Sequence, residues 1–312
     1  MAAEGPPGRS RPGLSRPGRS RLGALPDRAG GLRRLVLAGI LAAGVAAALA
    51  LELDPRDLIP EGGGLTVARD FFSRALSPAL TYEAEFVPAG APPLWIKVLG
   101  ALRTTLVFAT AAISLSVLVG LALGFLGSTA WWAGDPVGGR TRGSRLGRRA
   151  VTTAVYGSTR AVIALMRSVH ELLWAVLFLA AFGLSNLAAV IAIAIPYSGT
   201  FAKVFSELID EAPRDAGRAL RAAGASPLQV FFLGLLPRAL PDMAAYAFYR
   251  FECSLRSSAV LGFFGYPTLG YYLAASFENL HYGEVWTYLY ALFLLVIVFE
   301  WWSGALRRRF VA

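Results

Sequence analysis

Cysteine and histidine are nearly absent from this 312-residue chain: Cys253 stands alone, and His170 and His281 lie far apart. A single cysteine excludes an intramolecular disulfide and any cysteine-built zinc site, and the two histidines lack metal-ligand spacing. Charge is sparse too, at 16% of residues against about 25% in an average soluble domain. There is no GxxxxGK[ST] phosphate loop, no GxGxxG after a strand and no HExxH. The chain therefore has no means of holding a nucleotide by itself, and any energy it uses must come from a partner or a gradient. What it does have is apolar surface, with 55% hydrophobic residues and a mean hydropathy of +0.53. So much apolar surface needs lipid around it, which makes the class an all-α integral membrane protein. The net charge of +10 is read as the bias of basic residues toward the cytoplasmic side, not as a nucleic-acid footprint.

Along the chain, residues 1–34 are rich in Arg, Pro and Gly and read as a disordered basic cytoplasmic tail. Leu35–Leu51 is a first apolar run, either a retained anchor, the preferred reading, or a long signal peptide cleaved near "AALA". Residues 52–98 carry seven acidic and four basic groups and read as an external loop. A second span covers Leu99 to Leu126, and the basic loop 138–149 belongs inside. One long helix from Val151 reaches about Leu184 and spans between Val162 and Phe182. A fourth span runs from Leu187 to Phe205, a fifth from Asp242 to Phe264, and a sixth from Val285 to Leu306. Six transmembrane helices with both termini cytoplasmic are expected. The core occupies 99–306 and a basic tail 307–312.

The segment 207–240 breaks this pattern with a polar, sharply punctuated stretch. Asp215–Ala223 has helical spacing, and Gly224 can adopt the left-handed conformation that ends a helix. Ser226 suits an N-cap and Pro227 the first helical position. Val230, Phe231, Leu233 and Leu235 make the second short helix apolar; Pro237 is expected to end it and Pro241 to open the next span. The pair is either a docking surface or an interfacial linker lying on lipid headgroups.

The stretch "ALRAAGASPLQVFFLGLLPRALP" resembles the cytoplasmic loop of permease subunits of binding-protein-dependent ABC importers. The pattern there is EAA, three residues, Gly, nine residues, then I-x-L-P. Ala219, Gly224, Leu236 and Pro237 match it, whereas Arg218 and Gly234 stand where Glu and Ile are expected. The likeness extends over most of the chain from about Leu99. "RSVHELLWAVLFLAAFGLSN" and "YRFECSLRSSAVLGFFGYPTLGYYL" are most similar to the phosphonate-uptake branch, which tends to RSxPE, RWE-x-x-x-RAS and a GAGGIG-like turn. Here His170, Phe251, Ser257 and "GYPTLG" replace the expected Pro, Trp, Ala and glycine-rich turn. The resemblance implies a MetI-like helical bundle whose coupling helix, with Ala219, Gly224, Ser226, Gln229, Leu236 and Pro237, inserts into an ATPase subunit. It further implies two ABC ATPase subunits holding the ATP, an external substrate-binding protein, a second permease copy as a homodimer, and no cofactor in this chain.

Charges inside the fifth span are the other unusual feature. Arg250, Glu252 and Arg256 fall near mid-bilayer, where a charge costs several kcal/mol against lipid and must face the bundle or a wet cavity. Glu252 and Arg256 are spaced to pair, and Arg250 can meet Glu171 or another acid of the third span. They are either glue between helices or, with Ser257, a fork offered to an oxyanion in transit. Arg167 and Glu171 form a facing pair or mark the cytoplasmic mouth; Ser257, Ser258 and Thr200 can supply hydroxyls. Trp286, Trp301 and Trp302 read as interface anchors. The rivals to an importer permease for phosphonate or a related phosphorus oxyanion are a permease for another solute, a gradient-driven transporter and an enzyme acting on lipid phosphates.

Overall fold

The computed structural model describes residues 28–54, 62–129 and 142–310. Among them the secondary structure is helical throughout: α1 (Arg28–Ala50), α2 (Gly64–Ser73), α3 (Leu94–Gly127), α4 (Arg142–Ser168), α5 (Glu171–Phe182), α6 (Asn186–Glu211), α7 (Asp215–Ala222), α8 (Pro227–Gln229), α9 (Leu236–Val260), α10 (Leu269–Glu278) and α11 (Tyr282–Phe310). A π-helical turn, Val230–Leu235, joins α8 to α9, and a 3-10 turn, Leu261–Phe264, follows α9. The chain divides into two units, residues 1–65 and 66–312. The first contains α1, apolar all round from Leu35, and the second contains the bundle.

Of these helices, α1, α3, α6 and α11 are long and apolar enough to cross a membrane, and the α4–α5 pair makes a fifth crossing if its two parts are one span. The remaining expected span, the fifth, is α9, 25 residues long but carrying Arg238, Asp242, Arg250, Glu252 and Arg256. It packs against α3, α6 and α11 inside the second unit, which half-buries Arg250 and Glu252 and leaves Arg238, Asp242 and Arg256 exposed.

Several boundaries differ from expectation. The third span is two helices meeting at 89°. His170 starts the second of them, its Nδ1 accepting the Leu172 N–H at 3.3 Å. Arg28–Arg34 belong to α1, Arg142–Arg149 open α4, and Arg307–Phe310 continue α11, so these basic stretches are helix ends. The remainder of the expected tail, residues 1–27, lies outside the described residues, as do 138–141 and 311–312. Pro237 ends nothing; it sits in the first turn of α9, which runs on through Pro241. A proline there loses no intrahelical bond, because that N–H has no partner in any helix.

The core of the second unit is the contact between α3 and α6. Along α3, beside the larger Leu94, Val98, Phe108 and Ile113, small buried residues recur every three or four positions: Ala101, Thr105, Ala109, Ala112, Ser116, Gly120, Gly124 and Gly127. That stripe lets α6 approach closely, since a Cβ on Gly120 would collide with Phe201 Cβ, and one on Gly124 would lie 3.0 Å from Phe205 Cβ. Van der Waals contact between backbones is what drives such pairing where lipid is the solvent. Ser116 Oγ donates to the Ala112 carbonyl at 2.6 Å and reaches the Ala194 carbonyl of α6 at 3.2 Å.

The expected external loop carries structure of its own. Gly283 and Glu284, in the first turn of α11, donate their amides to Glu83 Oε2 at 2.9 and 3.2 Å, a capping carboxylate delivered from 200 residues away. Trp286 Nε1 donates to the Phe71 carbonyl at 2.7 Å and Tyr290 Oη to that of Ala75 at 2.7 Å. Trp286 is thus a strut between α11 and the preceding segment, whereas Trp301 stays exposed.

Candidate functional site

The loop between α6 and α9 follows from local chemistry. α7 stops because Gly224 takes φ +84°, with Gly224 N donating to the Arg221 carbonyl and Ala225 N to that of Leu220, both at 3.0 Å. These are the two bonds of a Schellman stop. α8 starts two residues later, Ser226 N donating to Gln229 Oε1 at 2.8 Å and Gln229 N to Ser226 Oγ at 3.3 Å. That reciprocal pair is a capping box. Ser226→Ala should cost about 1 kcal/mol locally. The amides of residues 228–230 should then exchange about fivefold faster in hydrogen-exchange mass spectrometry.

The two departures from the loop pattern acquire physical meaning. Arg218 pairs with Asp215 at 2.6 Å on the exposed face of α7, so its charge is satisfied within one turn. Gly234 meets Gly217: a Cβ on Gly234 would sit 3.3 Å from Gly217 Cα and 3.1 Å from Leu220 Cδ1. A larger side chain at 234 needs α7 moved away. Val230, Phe231 and Leu235 turn into the core, and Phe231 packs edge-on against Phe125 of α3. Leu228, Phe232 and Leu233 stay exposed beside Ala219, Gly224 and Gln229. Leu233 thus belongs to the outward face, while Leu236 is half-buried and Pro237 exposed.

The second cluster gathers around the break between α4 and α5. Ser257 Oγ of α9 donates to Glu171 Oε1 at 2.9 Å, and Tyr197 Oη of α6 lies 2.9 Å from the same Ser257 oxygen. The Arg250 guanidinium sits 4.4 Å from the centroid of the Tyr197 ring, a cation–π contact. Its Nε is buried with no hydrogen-bond partner among the described residues. Arg250 therefore meets an aromatic face and not Glu171, and among the described residues no carboxylate lies within ion-pair distance of it. The expected pair Glu252–Arg256 is likewise not formed among these residues. Arg256 is exposed, with Nη2 donating to Cys253 Sγ at 3.6 Å, and Glu252 is half-buried. Arg167 is exposed, its stem lying against Gly199, where a Cβ would come within 2.9 Å of Arg167 Cγ.

Of the six intramembrane candidates, Arg250, Ser257 and Glu171 come together, while Arg256, Glu252 and Arg167 stand apart. Tyr197 is the residue missed. Its signal in the sequence was a polar aromatic directly after Pro196 in the middle of an apolar run. The other hydroxyls are partly local: Thr200 Oγ1 donates to the Pro196 carbonyl at 2.9 Å, as membrane-helix hydroxyls commonly do.

Comparison with known proteins bears on both clusters. Residues 143–311, which include them, match the family model described as the binding-protein-dependent transport system inner membrane component. The phosphite transport system permease protein PtxC of Stutzerimonas stutzeri is 37% identical over 159 residues, 50% of this chain and 57% of that protein. The phosphate-import permease protein PhnE of Mycolicibacterium smegmatis is 32% identical over 158 residues, 51% of this chain and 30% of that protein. The chain thus spans from under a third to under two thirds of the length of these two relatives. Among solved structures, a chain of the inward-facing MetNI methionine ABC transporter superposes with a TM-score of 0.58 at 19% identity, covering 70% of this chain and 99% of its own. A bacterial ABC transporter for the acidic polysaccharide alginate gives 0.51 at 12% identity, over 89% and 96%. Family model and shared fold agree, and the chain belongs to the binding-protein-dependent transport system inner membrane components.

Proposed function

We propose that this chain is the membrane-spanning permease subunit of an ATP-driven, binding-protein-dependent importer of phosphite, phosphonate or a related phosphorus oxyanion. It performs no covalent chemistry. ATP is bound and hydrolysed by separate ABC ATPase subunits that grip the α7–α8 loop from the cytoplasm, the side on which both termini lie. An external binding protein delivers the solute, and a second copy of the chain completes the path. The single observation carrying the assignment is the match of this chain with phosphite and phosphate permeases over about half its length. The geometry supports it twice. A capped helix pair offers Leu228, Phe232 and Leu233 to a partner, and Arg250 offers a guanidinium not claimed by any carboxylate among the described residues.

The test is ATP-dependent uptake in proteoliposomes containing the chain, its ATPase and its binding protein. Phosphite or methylphosphonate should accumulate only with hydrolysable ATP inside. Uptake driven by an ion gradient without the ATPase would instead establish a secondary transporter, and ATP-driven uptake of another solute would leave the class and change the cargo.

Gly224→Val is the matching lever test. The position has open space around it but φ +84°, which a β-branched residue adopts only with strain. The protein should reach the membrane at normal levels and ATP hydrolysis should lose its stimulation by loaded binding protein, with uptake falling about tenfold for a distortion of about 1–2 kcal/mol.

A further inference from the structure

The hydrogen bonds in the central cluster have a direction. Glu171, as a carboxylate, only accepts, so the one proton of Ser257 Oγ is committed to it. The Tyr197 hydroxyl must then be the donor to Ser257 at 2.9 Å. Both ends of Tyr197 are therefore occupied: its hydroxyl is tied through α9 to the start of α5, and its ring face lies under Arg250. The ring cannot swing without releasing both.

Glu171 keeps spare acceptor capacity. Oε1 takes Ser257, and Oε2 lies 3.5 Å from His170 Nε2. His170 Nδ1 accepts the Leu172 amide, so in the neutral ring the proton is on Nε2, toward Glu171. A carboxylate has about four lone-pair sites, which leaves room for another donor. The cluster thus sets a buried guanidinium Nε, unpartnered among the described residues, and a carboxylate around one phenol. On α9 itself, Cys253, which receives Arg256, and Tyr246, which feels the charge of Arg250, are further titratable neighbours.

Resting on the reading that the cargo is a phosphorus oxyanion, we propose that Tyr197 presents Arg250 to the P–O⁻ oxygens while Glu171 accepts a hydrogen bond from an acidic P–OH. The station thereby takes oxyanions that keep a proton and rejects fully ionised ones such as sulfate. Phosphoryl groups lose their second proton only near a pKa of about 6, so a protonated fraction exists in mildly acidic to neutral medium. Sulfate has no proton to offer and sets a bare anionic oxygen against the Glu171 carboxylate.

The experiment is equilibrium binding of radiolabelled phosphite to the purified full-length chain with its ATPase, at one fixed pH, with sulfate as competitor. Wild type should prefer phosphite over sulfate by at least about tenfold. Glu171→Gln, whose amide can donate to a bare oxygen, should raise competition by sulfate about tenfold, whereas Glu171→Asp should keep the rejection. Tyr197→Leu should weaken phosphite binding about tenfold and Tyr197→Phe, which keeps the ring face, by less than about threefold. An unchanged phosphite-to-sulfate ratio in Glu171→Gln, or equal loss of rejection in the Asp and Gln variants, overturns the role of Glu171. Equal effects of Leu and Phe at 197 overturn the presenting role of the ring. A wild type that binds no phosphorus oxyanion at all, but transports another solute with ATP, defeats the parent reading instead.

Discussion

Gly262→Ala is expected to cut recovery and thermal stability of the folded protein sharply, although it adds a single methyl group. Gly262 lies in the 3-10 turn after α9, and a Cβ there would run into the backbone amide of Tyr271 at the start of α10 and reach within 2.7 Å of Thr268 Oγ1. The neighbour cannot give way. Thr268 Oγ1 is bonded to the Ala259 carbonyl at 2.9 Å, and Leu269 N to Thr105 Oγ1 of α3 at 3.1 Å. Tyr266 Oη donates to the Ser185 carbonyl at 3.1 Å between α5 and α6. The turn is thus fastened to the neighbouring helices, and a methyl group inserted between two of its backbone segments must break one of these bonds. Overpacking of this kind costs about 3 kcal/mol or more where backbone must move. For 200-odd residues about 3 kcal/mol is a fall of about 6–12 °C in Tm. Gly270→Ala, whose Cβ would overlap the Ala259 carbonyl, should behave alike. Gly157→Ala on exposed α4, with no atom within 4 Å, should be neutral or stabilising by up to about 1 kcal/mol. Monodisperse yield and thermal unfolding in detergent check all three; equal behaviour of Gly262→Ala and Gly157→Ala would show that the turn can open.

The features legible in the sequence are those whose cause lies within a few residues. The Gly224 stop and the Ser226 cap are decided by chain neighbours, and the structure puts each where its chemistry requires. The long apolar runs are equally local, since lipid tolerance is a sum over residues. The bend at His170 is of another kind. Composition on either side is helical, and beside the local His170 cap the bend carries the close passage of Gly199 against Met166 and Arg167 and the hydrogen bond from Ser257 to Glu171. Both partners come from distant helices. Pairing of charges failed for the same reason. Glu252 and Arg256 have the right spacing, yet Arg256 turns toward Cys253, and Arg250 finds an aromatic ring on α6. Spacing says which groups can meet on one helix and nothing about a better partner on the next.

Arg250→Met is the substitution that separates cargo binding from helix glue, because the two roles predict different changes in stability. An ion pair that fixes helix register would leave a buried carboxylate unpaired when its arginine is removed, at a cost of about 3–5 kcal/mol. Arg250 has no such partner among the described residues; it has the Tyr197 face, worth about 0.5–2 kcal/mol, and a buried Nε without an acceptor, a penalty of about 1–3 kcal/mol. These nearly cancel. Methionine, similar in reach and free of unsatisfied donors, should therefore leave the Tm within a few degrees of wild type or raise it. Uptake should nevertheless collapse, by about 100-fold in kcat/KM if the guanidinium supplies about 3 kcal/mol of charge-assisted binding. Arg250→Lys keeps the charge but loses the planar fork and its stacking on Tyr197, and should recover about a tenth of wild-type uptake. Basal ATP hydrolysis by the ATPase subunits proposed to dock on the α7–α8 loop should persist in both variants. A sharp fall in Tm with uptake lost only in proportion to folded protein would instead make Arg250 a structural residue, and the oxyanion path would have to be sought along the exposed side of Arg256 and Arg167.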